Sequence, residues 1–387
     1  MRSSRLRVAA FLVSVGLVVS HAAGLAQVQP LAQPGLVWTR FQQYLESLRR
    51  QSGIPGLSGI VVQDGRIVWA GAFGFQDVEN RLPATIHTPY HVAGLTQTVA
   101  AALALRCVEA GLLSLDTRVG TLDSLAPDPR ATVRDLLAHT VTPEAARPGQ
   151  PPAGPPTFTY DPARFATITP VIARCQGLPF RDAVTNLLGS LGMLESVPGV
   201  DVVSPDLLEV LDPLIYDEEG LARFGSILSR LAVPYQVDRG KPVRSEYPGD
   251  GINAAHGLVT TVWDLALFEV ALDPPAPPEG EPEAVAAIPL LTAETLAQAW
   301  NIAPPDGNGT IRPHGLGWFV QSYNGERLVW QYGVLPGASS AFVIKAPDRR
   351  LTMVLLANSD GLVSPYDFAQ GDVTTSLFAQ LFLRLFL

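Results

Sequence analysis

The sequence predicts an α+β fold: a mostly antiparallel sheet flanked by helices, with a helical subdomain inserted into it. Two observations carry this. Strand-like runs lie towards both ends of the chain, at 57–73 and 316–358, while the long stretch between them is mainly helical in pattern. One sheet must then be assembled from N- and C-terminal pieces. In addition, Asp64-Gly65 stands between two apolar runs, a strong hairpin signal because both residue types tolerate positive φ.

The elements follow in order. Arg2, Arg5 and Arg7 precede an apolar run over 8–19, and Gly24 and Ala26 suit a signal peptidase. The run is short for a membrane of about 20 apolar residues, so 1–26 reads as a cleaved secretory signal. The flanks fit an uncleaved anchor as well, and that alternative stays open. Residues 37–50 carry apolar side chains at helical spacing. Strands at 57–63 and 66–73 form the hairpin, and a turn-rich connection leads to His87-Thr88-Pro89-Tyr90. The alanine-rich run 95–110 lacks Gly and Pro and reads as a helix that Gly111 stops.

A shorter helix is expected at 133–139, a Pro/Gly surface loop at 143–157, helices at 163–175 and 180–191, and irregular, turn-rich chain over 200–250. A helix at 261–272 precedes an acidic proline loop at 273–282. Strands are then expected at 316–323, 327–330, 338–346 and 351–358, with turns at Asn324-Gly325 and Pro347-Asp348, and an apolar helix over 374–387 closes the chain. This gives a sheet subdomain from 37–95 and 290–387, and a helical subdomain over 96–289. No internal repeat is present.

Composition narrows the partners. The net charge is −9, with 16% charged and 47% hydrophobic residues. That leaves no electrostatic footprint for nucleic acid or an anionic membrane and supplies a large core. No second run is apolar enough to span a bilayer, so no integral span is expected after signal cleavage. Only two lysines occur, Lys241 and Lys345, among 27 basic residues. Cys107 and Cys175 fall in helical patterns; two separate buried thiols are the commoner outcome, but an exported chain could oxidise them and the sequence leaves open whether they meet. Neither has metal-ligand spacing. His87 and His91 have the i,i+4 spacing of a zinc pair, but Pro89 between them breaks the helix such a pair needs. No cofactor is implied. His139 and His256 read as hydrogen-bonded structural histidines, and His314 as an exposed loop residue.

An ordered set of short motifs spans about 300 residues. It runs through Ile54-Pro55-Gly56, Gly71-x-x-Gly74 with Asp77, Thr88-Pro89-Tyr90, Leu136-Leu137-Ala138-His139-Thr140 and Gly192-Met193. It continues with Ala255-His256-Gly257-Leu258-Val259-Thr260-Thr261 and Asp264-Leu265, then Gly315-Leu316-Gly317-Trp318, Gly333 with Gly337, and Ala357-Asn358. In this order the sequence resembles the serine β-lactamase-related family of class C β-lactamases, D-alanyl-D-alanine carboxypeptidases and related esterases. The resemblance implies the β-lactamase/transpeptidase-like fold and an acyl-enzyme mechanism. Such a mechanism uses a serine opening a helix and a lysine three residues on, sharing its face.

That chemistry is not written here. The family's serine and lysine positions fall on Gly94 and Gln97. No Ser-x-x-Lys occurs anywhere, because Asp238 and Phe342 stand three residues before the two lysines. The family's Tyr-x-Asn motif matches Tyr160-Asp161-Pro162, with Pro162 in place of the asparagine. Its Lys- or His-Thr-Gly strand matches Gln331-Tyr332-Gly333, with Tyr332 placed to narrow the pocket. Thr96, Thr98, Ser339 and Ser340 are the nearby hydroxyls, and none has an evident base.

The expectation is therefore a non-catalytic homologue exported to the periplasm or beyond. Such a protein would hold a small acyl, peptide or glycan ligand at Tyr160, Tyr332 and Gly333, or act by surface contacts. Two rivals stand beside it. One is an active hydrolase with an unrecognised nucleophile, and the other is an interaction protein whose old pocket is filled by Tyr160 and Tyr332.

Overall fold

The computed structural model describes residues 35–141, 154, 156–273, 289–301 and 312–387. The signal segment, nearly all of the loop expected at 143–157 and most of that at 273–282 lie outside them. Strands β1 (Gly56–Gln63) and β2 (Arg66–Asp77) form the hairpin that Asp64-Gly65 signals, with φ of +51° and +72° at the two turn residues. The main sheet has seven antiparallel strands, in the order Phe319–Tyr323, Glu326–Leu335, Ser339–Ala346, Leu351–Ala357, β1, β2 and β3 (Leu82–Pro83). The N- and C-terminal pieces join where β1 pairs with Leu351–Ala357, from Leu57 opposite Ala357 to Gln63 opposite Leu351.

Both flanking helices lie on one face. Helix α1 (Leu36–Gln51) buries Phe41 and Leu45, and the closing helix Leu377–Phe386 buries Phe378, Phe382 and Leu383. These pack with Trp69, Trp330, Phe342 and Leu355 of the sheet. The closing helix starts three residues later than the pattern suggests, because Ser376 caps it by accepting from the Ala379 N–H at 3.3 Å. On the other face, Ile60, Ile67, Val354 and Leu356 meet Val262, Leu265 and Phe268 of the helix Val262–Ala271. Asn358, from the last family motif, ties the sheet to its surroundings. It accepts from the Gly56 N–H at 2.7 Å and donates to Val233 O at 3.0 Å.

Helix α2 (Thr96–Glu109) lies in the middle of the larger core, with every residue from Thr96 to Leu105 buried. Its alanines let neighbours approach closely. Cys107 near its end is bonded to Cys175 of the helix Thr169–Gln176, with an S–S distance of 2.08 Å and Cα atoms 6.3 Å apart. The expectation of two separate thiols is thus corrected: the two helices pack side by side, a tertiary fact that cysteine spacing does not carry.

Other corrections have local causes. The helix expected at 163–175 is two, Pro162–Ala166 and Thr169–Gln176, because Pro170 has no N–H to continue the ladder. The irregular stretch 200–250 contains a helix, Glu218–Leu228, capped by Asp217, and a hairpin of Tyr235–Asp238 with Lys241–Arg244. That hairpin turns at Arg239-Gly240 with φ of +48° and +75°, and arginine in this conformation gives no turn signal. The strand expected to start at 316 begins at Phe319, after a bend in which Gly317 has φ +98°. A three-stranded sheet of Tyr90–His91, Leu258–Thr260 and Val197–Pro198 stands where only helices and loops are legible. No described helix is long and apolar enough to cross a membrane.

Candidate functional site

Three backbone segments converge at the start of α2. The chain leaves Tyr90–His91, makes a single 3₁₀ turn over Ala93–Leu95, and runs straight into α2. Ala93 takes a left-handed φ of +46°, a strained conformation for a residue with a Cβ. Its N–H donates to the buried His91 Nδ1 at 3.1 Å, and burial pushes the His91 pKa down to about 4, with His256 adding to the shift. The strand Glu326–Leu335 passes directly over this turn. A Cβ on Gly333 would sit 2.0 Å from Val92 O and 2.7 Å from the Gly94 N, so only glycine permits this approach.

Gly94 lies at the centre of the convergence. A Cβ placed on it would lie 2.8 Å from Tyr332 O, 3.3 Å from the Tyr160 Oη and 3.4 Å from the Gly333 Cα. Gly94, Tyr160, Tyr332 and Gly333, taken from three distant parts of the sequence, therefore meet. Gly94 and Tyr160 remain half-buried, so the cluster has a face to solvent.

Gln97 is wholly buried in the first turn of α2 and both ends of its amide are used. Its Nε2 donates to the Tyr160 Oη at 3.1 Å, and its Oε1 lies 3.0 Å from His139 Nε2. The other ring nitrogen, His139 Nδ1, accepts from the Asp161 N–H at 3.1 Å. That acceptance assigns the imidazole proton to Nε2, so His139 donates to Gln97. Burial, helped by His314 and Arg164, holds the His139 pKa well below the ordinary histidine range. Burial likewise raises the Tyr160 and Tyr332 hydroxyls above the usual phenol range. The result is a neutral chain, Asp161 N–H to His139 to Gln97 to Tyr160, with the Tyr332 ring packed against its last member. Gln97 fits because it offers an acceptor to the histidine and a donor to the tyrosine.

The remaining expected positions have structural partners. Gln331 is buried beside α2, accepting from its neighbour's Tyr332 N–H at 2.9 Å and donating to Gly317 O at 3.3 Å. Pro162 opens the helix Pro162–Ala166, where a missing N–H costs nothing, and Asp161 caps that helix by accepting from the Arg164 N–H at 3.0 Å. The nearby hydroxyls all donate to backbone carbonyls. Thr96 donates to Ala93 O at 2.7 Å, Thr98 to Leu95 O at 2.8 Å, Ser339 to His91 O at 2.8 Å and Ser340 to Ser359 O at 2.5 Å.

His314 is the site residue that sequence reasoning misplaces. It is not an exposed loop residue but is only 4% exposed. Its ring meets His139 edge-on at 4.7 Å and Phe319 at 4.6 Å, with Phe158 stacked at 6.1 Å. The turn in which Gly315 N–H donates to Trp318 O folds residue 314 inwards. Its Nδ1 donates to Gly315 O at 2.9 Å, and burial pushes its pKa down to about 3. Tyr160 also packs on Tyr332 at 5.2 Å and Phe319 at 5.3 Å. The cluster is thus walled by aromatic and neutral groups. Among the described residues no three His, Cys, Asp or Glu side chains are placed to hold a metal.

With the geometry established, comparison with known proteins places the chain. The family model described as Beta-lactamase matches residues 41–371. The chain belongs to the beta-lactamase family. Among curated relatives, human "Serine beta-lactamase-like protein LACTB, mitochondrial" is 33% identical over 75 residues, which is 19% of this chain and 14% of that protein. "Protein flp" of Staphylococcus aureus strain MW2 is 23% identical over 329 residues, 79% of this chain and 60% of the relative. The chain therefore spans less than two thirds of the curated relatives it matches.

Among solved structures, the octameric penicillin-binding protein homologue from Pyrococcus abyssi superposes with a TM-score of 0.63 at 21% identity, covering 84% of this chain and 74% of that one. The D-alanine carboxypeptidase AmpC from Burkholderia cenocepacia gives 0.63 at 18% identity, covering 89% and 98%. At such identities the likeness carries the beta-lactamase fold and nothing finer.

Proposed function

We propose that this chain is a non-catalytic member of the beta-lactamase family, exported to the cell envelope, that acts by binding rather than by acyl transfer. One observation carries the reading. The position expected for the nucleophile is a glycine whose missing side chain has no room, since its Cβ would press on the main-chain Tyr332 O at 2.8 Å. The position expected for the general base is Gln97, which cannot titrate and whose amide is committed at both ends. Acyl-enzyme chemistry needs a nucleophile and a base acting as a unit, and removing either costs many orders of magnitude in rate.

No observation favours the rival of a substitute nucleophile, because Thr96, Thr98, Ser339 and Ser340 are buried and donate to carbonyls. Any ligand of the old site is a small acyl, peptide or glycan group that meets the half-buried Gly94 and Tyr160, with the buried Tyr332 and Gly333 behind them, held by aromatic contact and neutral hydrogen bonds. Export is supported by the Cys107–Cys175 bond, which persists in oxidising compartments. The test is turnover of nitrocefin and of a p-nitrophenyl ester by the purified protein. Rates equal to a heat-killed control are expected, and turnover above it overturns the proposal.

A further inference from the structure

The segment 205–219 displays what a folded chain ordinarily hides. Leu208 is 43% exposed, Val210 74% and Leu214 93%. Leaving such side chains in water forgoes the favourable burial of apolar surface. They are held in place from beneath. Leu211 and Ile215 of the same segment pack on the small core of Val197, Val202, Phe224 and Ile227. Tyr216 is buried there, donating to Asp182 Oδ1 at 3.0 Å and meeting the Thr185 hydroxyl at 2.9 Å. Backbone bonds from Val210 and Leu211 N–H to Leu207 O, and from Ile215 and Tyr216 N–H to Asp212 O, close the turns between them. The apolar side chains are thus presented on an anchored scaffold.

The exposed charges of the segment itself have one sign, the neighbouring cations being Arg181, paired with Asp201, and Arg223, which lies over the Phe224 ring. Asp206, Glu209, Asp212, Asp217, Glu218 and Glu219 are all exposed, and no Lys or Arg occurs between Asp201 and Arg223. We propose that this segment is a docking surface for a cationic, amphipathic peptide or helix of a partner protein, whose apolar stripe covers Val210 and Leu214 while its Lys or Arg side chains meet the acidic rim. Charge complementarity selects this occupant. The same acids repel an anionic lipid surface, and two copies of the segment repel each other. The surface stands independently of what happens at Gly94.

The test uses a fluorescein-labelled 14-residue Leu/Lys amphipathic helix as probe, followed by anisotropy at two salt concentrations. The parent protein is expected to bind it, more weakly at higher salt. Val210→Ser with Leu214→Ser is expected to weaken binding at least tenfold, as is Glu209→Gln with Glu218→Gln and Glu219→Gln. All five side chains are exposed, so the unfolding midpoints should stay at the parent value. A Lys/Ser peptide of the same charge should bind at least tenfold more weakly than the Leu/Lys probe. Absence of binding overturns the proposal. So does equal affinity for the Lys/Ser peptide or for the Val210/Leu214 variant, either of which would reduce the effect to general attraction to an acidic protein.

Discussion

Replacing Gly94 by serine and Gln97 by lysine would restore the two side chains that acyl transfer requires, and the structure sets the cost of doing so. The backbone at Gly94 has no positive φ, so conformation does not forbid serine. Space does: the new Cβ would lie 2.8 Å from Tyr332 O, a carbonyl in the strand Glu326–Leu335 that cannot swing aside. Overpacking of this kind costs about 1–3 kcal/mol. At residue 97, lysine keeps a donor for Tyr160 but gives the His139 Nε2–H no acceptor, leaving one buried donor facing another. An orphaned buried polar group costs about 1–3 kcal/mol, and the ammonium must itself be desolvated or lose its proton. The double variant is therefore expected to be destabilised by about 2–6 kcal/mol. Urea unfolding followed by tryptophan fluorescence measures this, with nitrocefin turnover on the same samples expected to stay at background. A variant within about 1 kcal/mol of the parent that also turns over nitrocefin would refute the packing argument and the functional one together.

Two further outcomes follow from the buried groups. His314 has a folded pKa of about 3, far below that of an unfolded histidine, so the unfolded chain binds the extra proton between these values. Its contribution to stability is full above about pH 6.5 and is lost as the pH falls towards the folded value. His314→Phe should therefore remove about 1.4 kcal/mol per pH unit from the slope of unfolding free energy between pH 5.5 and 4; an unchanged slope would show that the ring is not buried neutral. Cys107→Ser with Cys175→Ser should lose about 4 kcal/mol, because the bond closes a loop of 68 residues. Reductant should lower the parent's melting temperature towards that of the variant and leave the variant unmoved.

How much of this was legible can be traced residue by residue. The hairpin at Asp64-Gly65 and the Phe41/Leu45 stripe of α1 are local signals, readable because turn chemistry and helical spacing are properties of a few consecutive residues. The motif order located Gly94, Gln97, Tyr160 and Gly333, and the fold brings Gly94, Tyr160 and Gly333 within a few ångströms of one point. What the sequence does not carry is the distance between segments. The approach of Tyr332 O to Gly94, the side-by-side packing that joins Cys107 to Cys175, and the inward fold of His314 all depend on how separate elements cross. The Arg239-Gly240 turn is silent in the sequence for a different reason: arginine has no preference for the left-handed conformation it adopts there.

The central claim is that no side chain at this site forms a covalent acyl adduct. Intact-mass measurement of the purified protein after prolonged incubation with excess penicillin tests it directly, since a single adduct registers even without turnover. The mass is expected to remain that of the unmodified chain at every time point. A stoichiometric increase equal to the mass of the antibiotic, mapped by peptide analysis to one residue near Gly94, would contradict it.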